Sequence, residues 1–298
     1  FFVPVFSMAS SESLAHAKEA NTTPQGRLTK VCETPQVEPE PTRNHCVLSD
    51  PSAKEICGYS SSANRAAKAK EVLQVGIQAV QGARDTMEDE HQVINDGTKL
   101  SFFGVYDGHA GKKAAEFLRD QLHTKLYTYI GLQREPAEAL KQAIQETEVV
   151  FLARAKEEKL DDGSTLAVVL VNGNEIITAN VGDSEIVLCR GGKCVVLSTA
   201  HNMMKNADEQ KRVEEAGGVV FRSRLGHPYI NPRLISIAVT RSIGDITFKD
   251  NEFTAGRPSG LIAMPDIQKT TITPDDKFFI IGCDGLWDVI THEESVDF

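Results

Sequence analysis

Two aspartates that directly follow apolar runs are the first candidates for chemistry in this chain. Asp107 follows residues 102–106, Phe-Phe-Gly-Val-Tyr, and Asp284 follows residues 278–283, Phe-Phe-Ile-Ile-Gly-Cys. Apolar runs of this length indicate buried strands, so each strand brings a carboxylate to its tip. Because a buried carboxylate without a partner is costly, the pair suggests a shared cation or a hydrogen-bond network. A site rich in oxygen ligands favours Mg²⁺ or Mn²⁺.

The loop at residues 84–89 combines a guanidinium with several carboxylates. It follows residues 73–80, where alternating apolar and polar residues predict a first strand. Arg84 can present its planar fork to phosphate oxygens, while Glu88 and Asp89 can take a metal ion or its bound waters. On its own, the loop is more simply explained as an exposed, salt-bridged turn.

Four further residues could complete a site. Gly108 offers a carbonyl that an ion can approach closely, and the imidazole of His109 can donate a proton, although Asp-Gly-His alone also suits an ordinary turn. Asp183 stands in a Gly-Asp turn between two predicted strands. Asp288 follows Asp284 by four residues, so the two carboxylates lie on one side of a turn or short helix.

The elements that must position these residues alternate between helical and strand patterns. The sequence predicts helices at residues 112–130, 136–158 and 208–216, and further strands at residues 165–171, 175–181, 185–190, 193–197, 235–240 and 277–283. Several strands are joined by loops too short for a parallel crossover, so they must pair antiparallel. The pattern predicts an α+β fold rather than a doubly wound parallel sheet.

Length and charge limit the organisation and the partners. With 298 residues and 41% hydrophobic content, we expect one domain at residues 71–298 and a disordered tail at residues 1–70, which lack periodicity. The tail holds 8 basic and 7 acidic residues, and the remainder holds 24 and 35. An acidic domain argues against nucleic-acid binding. No apolar stretch is long enough for a membrane span.

The six cysteines include no CxxC pair, which argues against a structural zinc site. Cys189 and Cys194 flank a two-residue hairpin loop and should face each other across the two strands. Whether they form a disulfide stays open, and the absence of a wider cysteine framework favours two reduced thiols.

Taken together and in order, these motifs resemble the metal-dependent protein phosphatase 2C family. The resemblance covers about residues 72–298 and rests on segments 84–89, 103–111, 162–165, 181–184, 238–245, 260–267 and 283–289. It implies two stacked antiparallel β-sheets flanked by helices, an α-β-β-α sandwich, with a metal site at one end.

The resemblance also implies roles for the metal-binding candidates. Asp107 would bridge two Mg²⁺ or Mn²⁺ ions, Gly108 would ligate through its carbonyl, and Asp284 would hold one ion. Glu88 and Asp89 would act directly or through water.

The remaining candidates are assigned by the same resemblance. Asp183 and Asp288 would contribute, with Asp284, to a weaker third metal position. Arg84 would hold the substrate phosphate, and His109 would protonate the departing seryl or threonyl oxygen.

The sequence departs from the family pattern in three places. A late Asp ligand and the closing strand of the family are not reached before Phe298, and the chain does not begin with Met, so we expect a fragment. Glu185 stands where the family has a basic residue. Residues 200–203, Ala-His-Asn-Met, replace an Asp-His-Lys-Pro-like segment at the start of a flap at residues 201–234.

The resemblance leads to one preferred function and two alternatives. The preferred function is Mg²⁺- or Mn²⁺-dependent hydrolysis of phosphoserine and phosphothreonine in proteins by a monomer in the cytoplasm or nucleus. One alternative is a catalytically impaired module that binds phosphoproteins or regulates other proteins, which the absent late Asp and Glu185 would favour. The other is a metal-dependent nuclease or small-phosphoester hydrolase, which the acidic domain and the lack of an aromatic, basic groove disfavour.

Overall fold

The protein is described here from a computed structural model, which covers residues 5–7, 72–97 and 100–297. Its strands are β1 (Val5–Ser7), β2 (Gln74–Gly76), β3 (Glu90–Ile94), β4 (Leu100–Tyr106), β5 (Gly108–His109), β6 (Gly163–Ser164), β7 (Leu166–Asn172), β8 (Glu175–Val181), β9 (Glu185–Arg190), β10 (Lys193–Val196), β11 (Val219–Phe221), β12 (Arg224–Gly226), β13 (Ser236–Ile237), β14 (Ile243–Gly244), β15 (Asp266–Thr271) and β16 (Asp276–Gly282). The helices are α1 (Lys113–Gly131), α2 (Pro136–Glu158), α3 (Ala207–Glu215), α4 (Ile246–Lys249), α5 (Asn251–Thr254), α6 (Asp284–Trp287) and α7 (His292–Val296).

Two five-stranded antiparallel sheets stack on each other. Their strand orders are β10-β9-β16-β1-β2 and β15-β8-β7-β4-β3. The layer between them is apolar, with Phe103 and Val169 of one sheet packed among Leu188, Phe279 and Ile281 of the other. The α+β prediction and its antiparallel sandwich are therefore confirmed.

Helices cover both outer faces of the sandwich. The long helices α1 and α2 pack on the sheet that contains β4, where Leu118, Leu122 and Ile144 are fully buried. On the other sheet, Trp287 of α6 and Val296 of α7 belong to the same apolar cluster as Val187 and Ile280. Successive side chains of a strand point to opposite faces of its sheet, and the central strands are buried at nearly every position. Both faces of each sheet must therefore be covered.

The long helices begin and end where the sequence signals predict. In α2, Pro136 occupies the first turn, and the Glu135 side chain accepts the amide hydrogen of Glu138. Lys159 ends the helix in the left-handed conformation, with φ of 58°. The prediction of a helix at residues 136–158 is confirmed without change.

Some strand predictions are wrong in extent. The first predicted strand shrinks to Gln74–Gly76, and the one predicted at residues 235–240 to Ser236–Ile237. Strands Glu90–Ile94 and Asp266–Thr271 were not predicted. Both are outermost strands of one sheet, and their side chains are partly buried or exposed, so they lack the continuous apolar run that marks a central strand.

Of the predicted tail, the structure describes Val5–Ser7. These residues form β1, which pairs antiparallel with both β16 and β2. Strand β16 therefore has a hydrogen-bonded partner on each side, β9 and β1. The rest of residues 1–70 lies outside the described part of the chain. Among the helices that are described, none has both the length and the apolar character to span a bilayer.

A buried ion pair ties α2 to the segment that carries Asp245. Glu148 Oε1 lies 2.6 Å from Lys249 Nζ, and Glu148 Oε2 accepts the Gly244 amide hydrogen at 2.8 Å. Both side chains are only 10% exposed.

We predict that Glu148→Ala will lower the free energy of unfolding by about 3–5 kcal/mol, because it leaves the buried Lys249 ammonium without its counter-ion, with the Ser242 carbonyl as its remaining acceptor, and the Gly244 amide without its acceptor. Urea unfolding measures the effect. Glu158→Ala is the matched control, since its pair with Arg154 lies exposed on the same helix, and it should cost about 0.5 kcal/mol or less. Equal costs for the two variants would contradict the structural role assigned to Glu148.

Candidate active site

The two predicted aspartates meet at one end of the sandwich. Asp107 follows β4, and Asp284 begins α6 after β16, so they come from the two different sheets. Asp107, Cys283 and Asp284 each bring one potential ligand atom to a group in which these atoms lie within 4.8 Å of one another. Asp107 is partly buried, but Asp284 is exposed and lines a cleft. The expectation that both carboxylates are buried is therefore wrong for Asp284. Asp284 lies beyond the strand, since β16 ends at Gly282 and α6 begins at Asp284.

The carboxylates of this cluster repel one another. Burial, followed by the charges of Asp89, Asp284 and Asp183, raises the pKa of Asp107 to about 9. Removal of water, followed by Asp183 and Asp288, also raises the pKa of Asp284. Such shifts mean that the ionised carboxylates lack enough positive charge around them. A divalent cation is the kind of partner that would relieve this repulsion.

Short strands hold Asp107 in place. Its amide donates to Thr165 Oγ1 at 3.2 Å, and its carbonyl accepts the Thr165 amide hydrogen at 2.9 Å. Strands β5 and β6 continue this pairing, with Gly108 opposite Ser164. A Cβ at Gly108 would collide with the carbonyl oxygen of Glu88. Glycine is therefore required here so that the loop containing Glu88 can approach Asp107.

The first of two clefts at the site is named here the Arg84 cleft, with a volume of about 420 Å³. Its lining brings together most of the predicted residues: Arg84, Glu88, Asp89, Asp107, Gly108 and Asp284. Cys283 Sγ lies 3.5 Å from Asp89 Oδ2 and connects this carboxylate to the cluster. One guanidinium thus shares a cleft with several carboxylates, as the sequence predicted.

The second is named here the His109 cleft, with a volume of about 190 Å³. Its lining is Asp107, His109, Thr165, Asp183, Arg224, Ile237, Ala238, Val239 and Asp284. Asp107 and Asp284 line both clefts. The carboxylate cluster therefore lies where the two clefts meet, with Arg84 on one side and His109 on the other.

Asp245 holds the imidazole of His109. His109 Nε2 lies 2.9 Å from Asp245 Oδ1 and 3.0 Å from Asp245 Oδ2. Asp245 is almost fully buried, and Ser242 Oγ donates to its Oδ2 at 2.5 Å. A Cβ at Gly163 would collide with both His109 and Asp245, so glycine there makes room for the pair.

The charge of Asp245 also sets the protonation of His109. Burial alone would lower the pKa of His109, but Asp245 outweighs it and the pKa is raised. Burial alone would likewise raise the pKa of Asp245, yet His109 and Lys249 lower it. An ionised Asp245 therefore favours a protonated imidazole that can donate a proton.

Asp183 and Asp288 occupy different settings. Asp183 is buried, lines the His109 cleft and accepts a hydrogen bond from Asn202 Nδ2 at 2.8 Å. Asp288 is exposed and lines neither cleft. Its Oδ1 lies 3.6 Å from Lys205 Nζ, which also lies 3.3 Å from Glu185 Oε1. The Lys205 ammonium already supplies positive charge on this outer side of the cluster.

Two residues at the site, Asp245 and Cys283, are not among the residues that the sequence predicts for it. Asp245 stood inside the motif at residues 238–245 without a role, because nothing in the sequence shows that it meets a histidine 136 positions earlier. Cys283 was treated only as the last residue of a strand. The sequence signal for Cys283 is its position directly before Asp284, which brings its thiol close to the same group of carboxylates.

The donor set fits a hard divalent cation. Carboxylate oxygens of Asp107 and Asp284 face each other with Asp89 nearby, and carboxylates are the ligands that Mg²⁺ and Mn²⁺ prefer. Cys283 is the one softer atom in the group. The residues present are therefore suited to the ions that the sequence suggested.

Comparison with known proteins agrees with this geometry. A family model described as "Protein phosphatase 2C" matches residues 73–298. "Probable protein phosphatase 2C 42" of Oryza sativa subsp. japonica is 32% identical over 263 residues, which cover 76% of this chain and 73% of that protein. "Probable protein phosphatase 2C 76" of Arabidopsis thaliana is 33% identical over 230 residues, which cover 75% of this chain. The chain spans 50%, or half, of the length of this second relative.

A solved structure shows the same fold. The crystal structure of serine-threonine phosphatase 2C from Toxoplasma gondii matches with a TM-score of 0.59 at 20% identity, over 72% of this chain and 78% of that one. By its family model and its relatives, the chain belongs to the protein phosphatase 2C family, a family of serine/threonine protein phosphatases.

Proposed function

We propose that this chain hydrolyses phosphoserine and phosphothreonine in proteins with Mg²⁺ or Mn²⁺ bound at the Asp107–Asp284 cluster. The observation that carries the proposal is the placement of this cluster between Arg84 on one side and His109 on the other. A phosphoester spanning the cluster would meet a phosphate-binding cation at one end and a proton donor at the other. Hydrolysis of a seryl or threonyl phosphoester uses both groups, because its phosphate must be held and its departing alkoxide must be protonated.

Arg84 would bind the phosphate. It lines the cleft that contains Glu88 and Asp89, and it forms no ion pair with any acidic residue in the described part of the chain. Its guanidinium is therefore available for the two parallel hydrogen bonds that phosphate oxygens accept.

Asp107, Asp284, Asp89 and Glu88 would hold the metal ions, together with the carbonyl of Gly108. When bound, the ions supply an activated water and positive charge opposite the phosphoryl oxygens. Asp107 lines both clefts, so its carboxylate is placed to hold charge close to the reacting phosphorus. A third ion with Asp183, Asp284 and Asp288 would bind weakly, because Lys205 already pairs with Asp288.

His109 would protonate the departing oxygen. Its Nε2–H donates to Asp245, which leaves Nδ1 as the nitrogen that carries the transferred proton. An alkoxide of serine or threonine is a poor leaving group, so protonation is needed in the transition state. Asp245 would act by orienting the ring and keeping it protonated.

We predict that Asp107→Asn will abolish hydrolysis of a phosphothreonine peptide without unfolding the chain. In the metal-free protein at neutral pH the variant should even be more stable, on the order of 1 kcal/mol, because asparagine is neutral and removes the cost of protonating Asp107 on folding. Initial rates with Mn²⁺ and urea unfolding in a chelator measure the two effects.

The control is Asp120→Asn, an exposed residue whose partner is the neighbouring Arg119, and it should change neither quantity. Full activity of Asp107→Asn would refute the assignment. Peptide binding without turnover by the unsubstituted chain, at every metal concentration, would favour the phosphoprotein-binding module instead.

We predict that His109→Gln will slow hydrolysis of the phosphothreonine peptide by roughly 10²–10³-fold, whereas hydrolysis of p-nitrophenyl phosphate will fall far less, because nitrophenolate leaves without a proton. Asp245→Asn should show the same pattern more weakly. The ratio of the two rates is the measurement.

His123→Gln is the matched control, since His123 lies on α1 and its Nδ1 contacts the Arg119 carbonyl away from both clefts. An equal loss on both substrates in His109→Gln would contradict the role of general acid.

A further inference from the structure

Arg224 is a second arginine at the site, and the proposed mechanism does not use it. It comes from the flap, residues 201–234, and lines the His109 cleft together with Asp107 and Asp183. The His109 cleft and the Arg84 cleft share the carboxylate cluster but have different arginines. Each cleft therefore has a guanidinium of its own.

The flap presents Arg224 in a defined position. Its Nη2 donates to the Ser236 carbonyl at 2.9 Å, and its Nε to Ser236 Oγ at 3.2 Å. The residue begins β12, which pairs with β11 across a two-residue turn. Both turn residues, Arg222 and Ser223, have positive φ, 51° and 57°. Neither is glycine, so the turn is held against a local preference of the backbone.

Arg224 has donors left over for a ligand. A guanidinium carries five N–H groups, and Ser236 accepts two of them. No carboxylate lies within ion-pair distance of Arg224 in the described ranges, whereas Arg212 and Arg241 both pair with Glu209. Arg224 is exposed, so a partner can approach it from solvent.

The position of Arg224 indicates what that partner is. If His109 protonates the departing seryl or threonyl oxygen, the polypeptide that carries this oxygen extends on the His109 side. The phosphate itself faces the carboxylate cluster and Arg84. Arg224 therefore lies beside the residues that flank the phosphorylated one, and not beside the phosphate under attack.

We propose that Arg224 makes this site prefer phosphopeptides that carry a second negative group next to the phosphorylated residue. The ligand chemistry is an oxyanion, either an Asp or Glu carboxylate or a second phosphate, bound by two parallel N–H bonds. The inference rests on the proposed function, because it takes the orientation of the substrate from the role of His109.

The preference also has an electrostatic reason. The domain at residues 71–298 holds 35 acidic and 24 basic residues and repels an acidic peptide, so such a peptide needs a compensating cation on its own side of the site. Within the described lining of the His109 cleft, Arg224 is the residue with a permanent positive charge. Without it, acidic flanks would weaken substrate binding rather than strengthen it.

Three phosphothreonine peptides test the proposal: one with alanine flanks, one with aspartate flanks and one with a flanking phosphoserine. We would measure kcat and KM on each for the unsubstituted chain, Arg224→Gln and Arg222→Gln, with Mn²⁺ present. Glutamine keeps a hydrogen-bond donor for Ser236 and removes the charge. Arg222 is the control, because it lies in the same turn, stacks over Phe221 and lines neither cleft.

The unsubstituted chain should show a kcat/KM roughly tenfold higher on the charged peptides, mostly through KM, because one charge-assisted contact at a solvent-exposed site supplies about that factor. Arg224→Gln should lose this preference and keep its rate on the alanine peptide within about twofold, as expected when only the flanking contact is lost. Arg222→Gln should keep both. The two charged peptides show whether carboxylate or phosphate is favoured.

Several results would overturn the proposal. They are equal rates of the unsubstituted chain on all three peptides, a preference that survives in Arg224→Gln, and a loss of the same size in Arg222→Gln. A proportional fall on every peptide in Arg224→Gln would mean a structural role only.

If no peptide is hydrolysed by the unsubstituted chain, the proposed function itself fails and this inference fails with it. Should Arg224→Gln not fold, Arg224→Lys replaces it, with a reduced preference expected because lysine lacks the planar fork.

Discussion

Repulsion between carboxylates at the ends of β4 and β16 is the constraint on which the site depends. The two sheets bring Asp107 and Asp284 together, and Asp89 and Asp183 add further negative charge. The apolar layer between the sheets offsets the cost of this arrangement, since packing such as Phe103 against Phe279 holds β4 and β16 together. Without a cation the cluster favours protonation of Asp107. A bound cation at this end of the sandwich would therefore be favoured by the charges around it.

The surroundings of the cluster divide the site into two chemically different sides. Arg84 faces a cleft rich in potential metal ligands, whereas His109 faces a cleft formed partly by the flap. Asp245 keeps His109 oriented and protonated, and Glu148 in turn holds the segment that precedes Asp245. Helix α2, on the outer face of the sandwich, thus supports the residue that orients His109. The Lys205 ammonium partly balances the negative charge near Asp288. The carboxylates around Asp107 are therefore the part of the cluster where a bound cation would be most stabilising.

Most of the core elements could be predicted from the sequence, and so could the meeting of most candidate residues at one end of the sandwich. The α2 helix is marked by its apolar spacing and by Pro136, and the central strands by continuous apolar runs. Asp107 and Asp284 stand next to such strands, so the end of a strand already places them, whereas Arg84 lies in the loop between β2 and β3. Asp245 could not be paired with His109 in this way, because their contact depends on β5, β6 and β14 meeting in space. The sequence does not predict the outer strands β3 and β15, because their partly buried side chains form no continuous apolar run.

The most direct test of the account is the number of Mn²⁺ ions that the chain binds at equilibrium. Dialysis followed by metal analysis, supported by Mn²⁺ electron paramagnetic resonance, should be carried out on the unsubstituted chain and on Asp107→Asn. The account predicts saturable binding of two Mn²⁺ per chain, as the resemblance to the family implies, and loss of at least one of them in the variant. Absence of saturable binding, or the same number of bound ions in Asp107→Asn, would contradict the claim that the carboxylate cluster is a metal site.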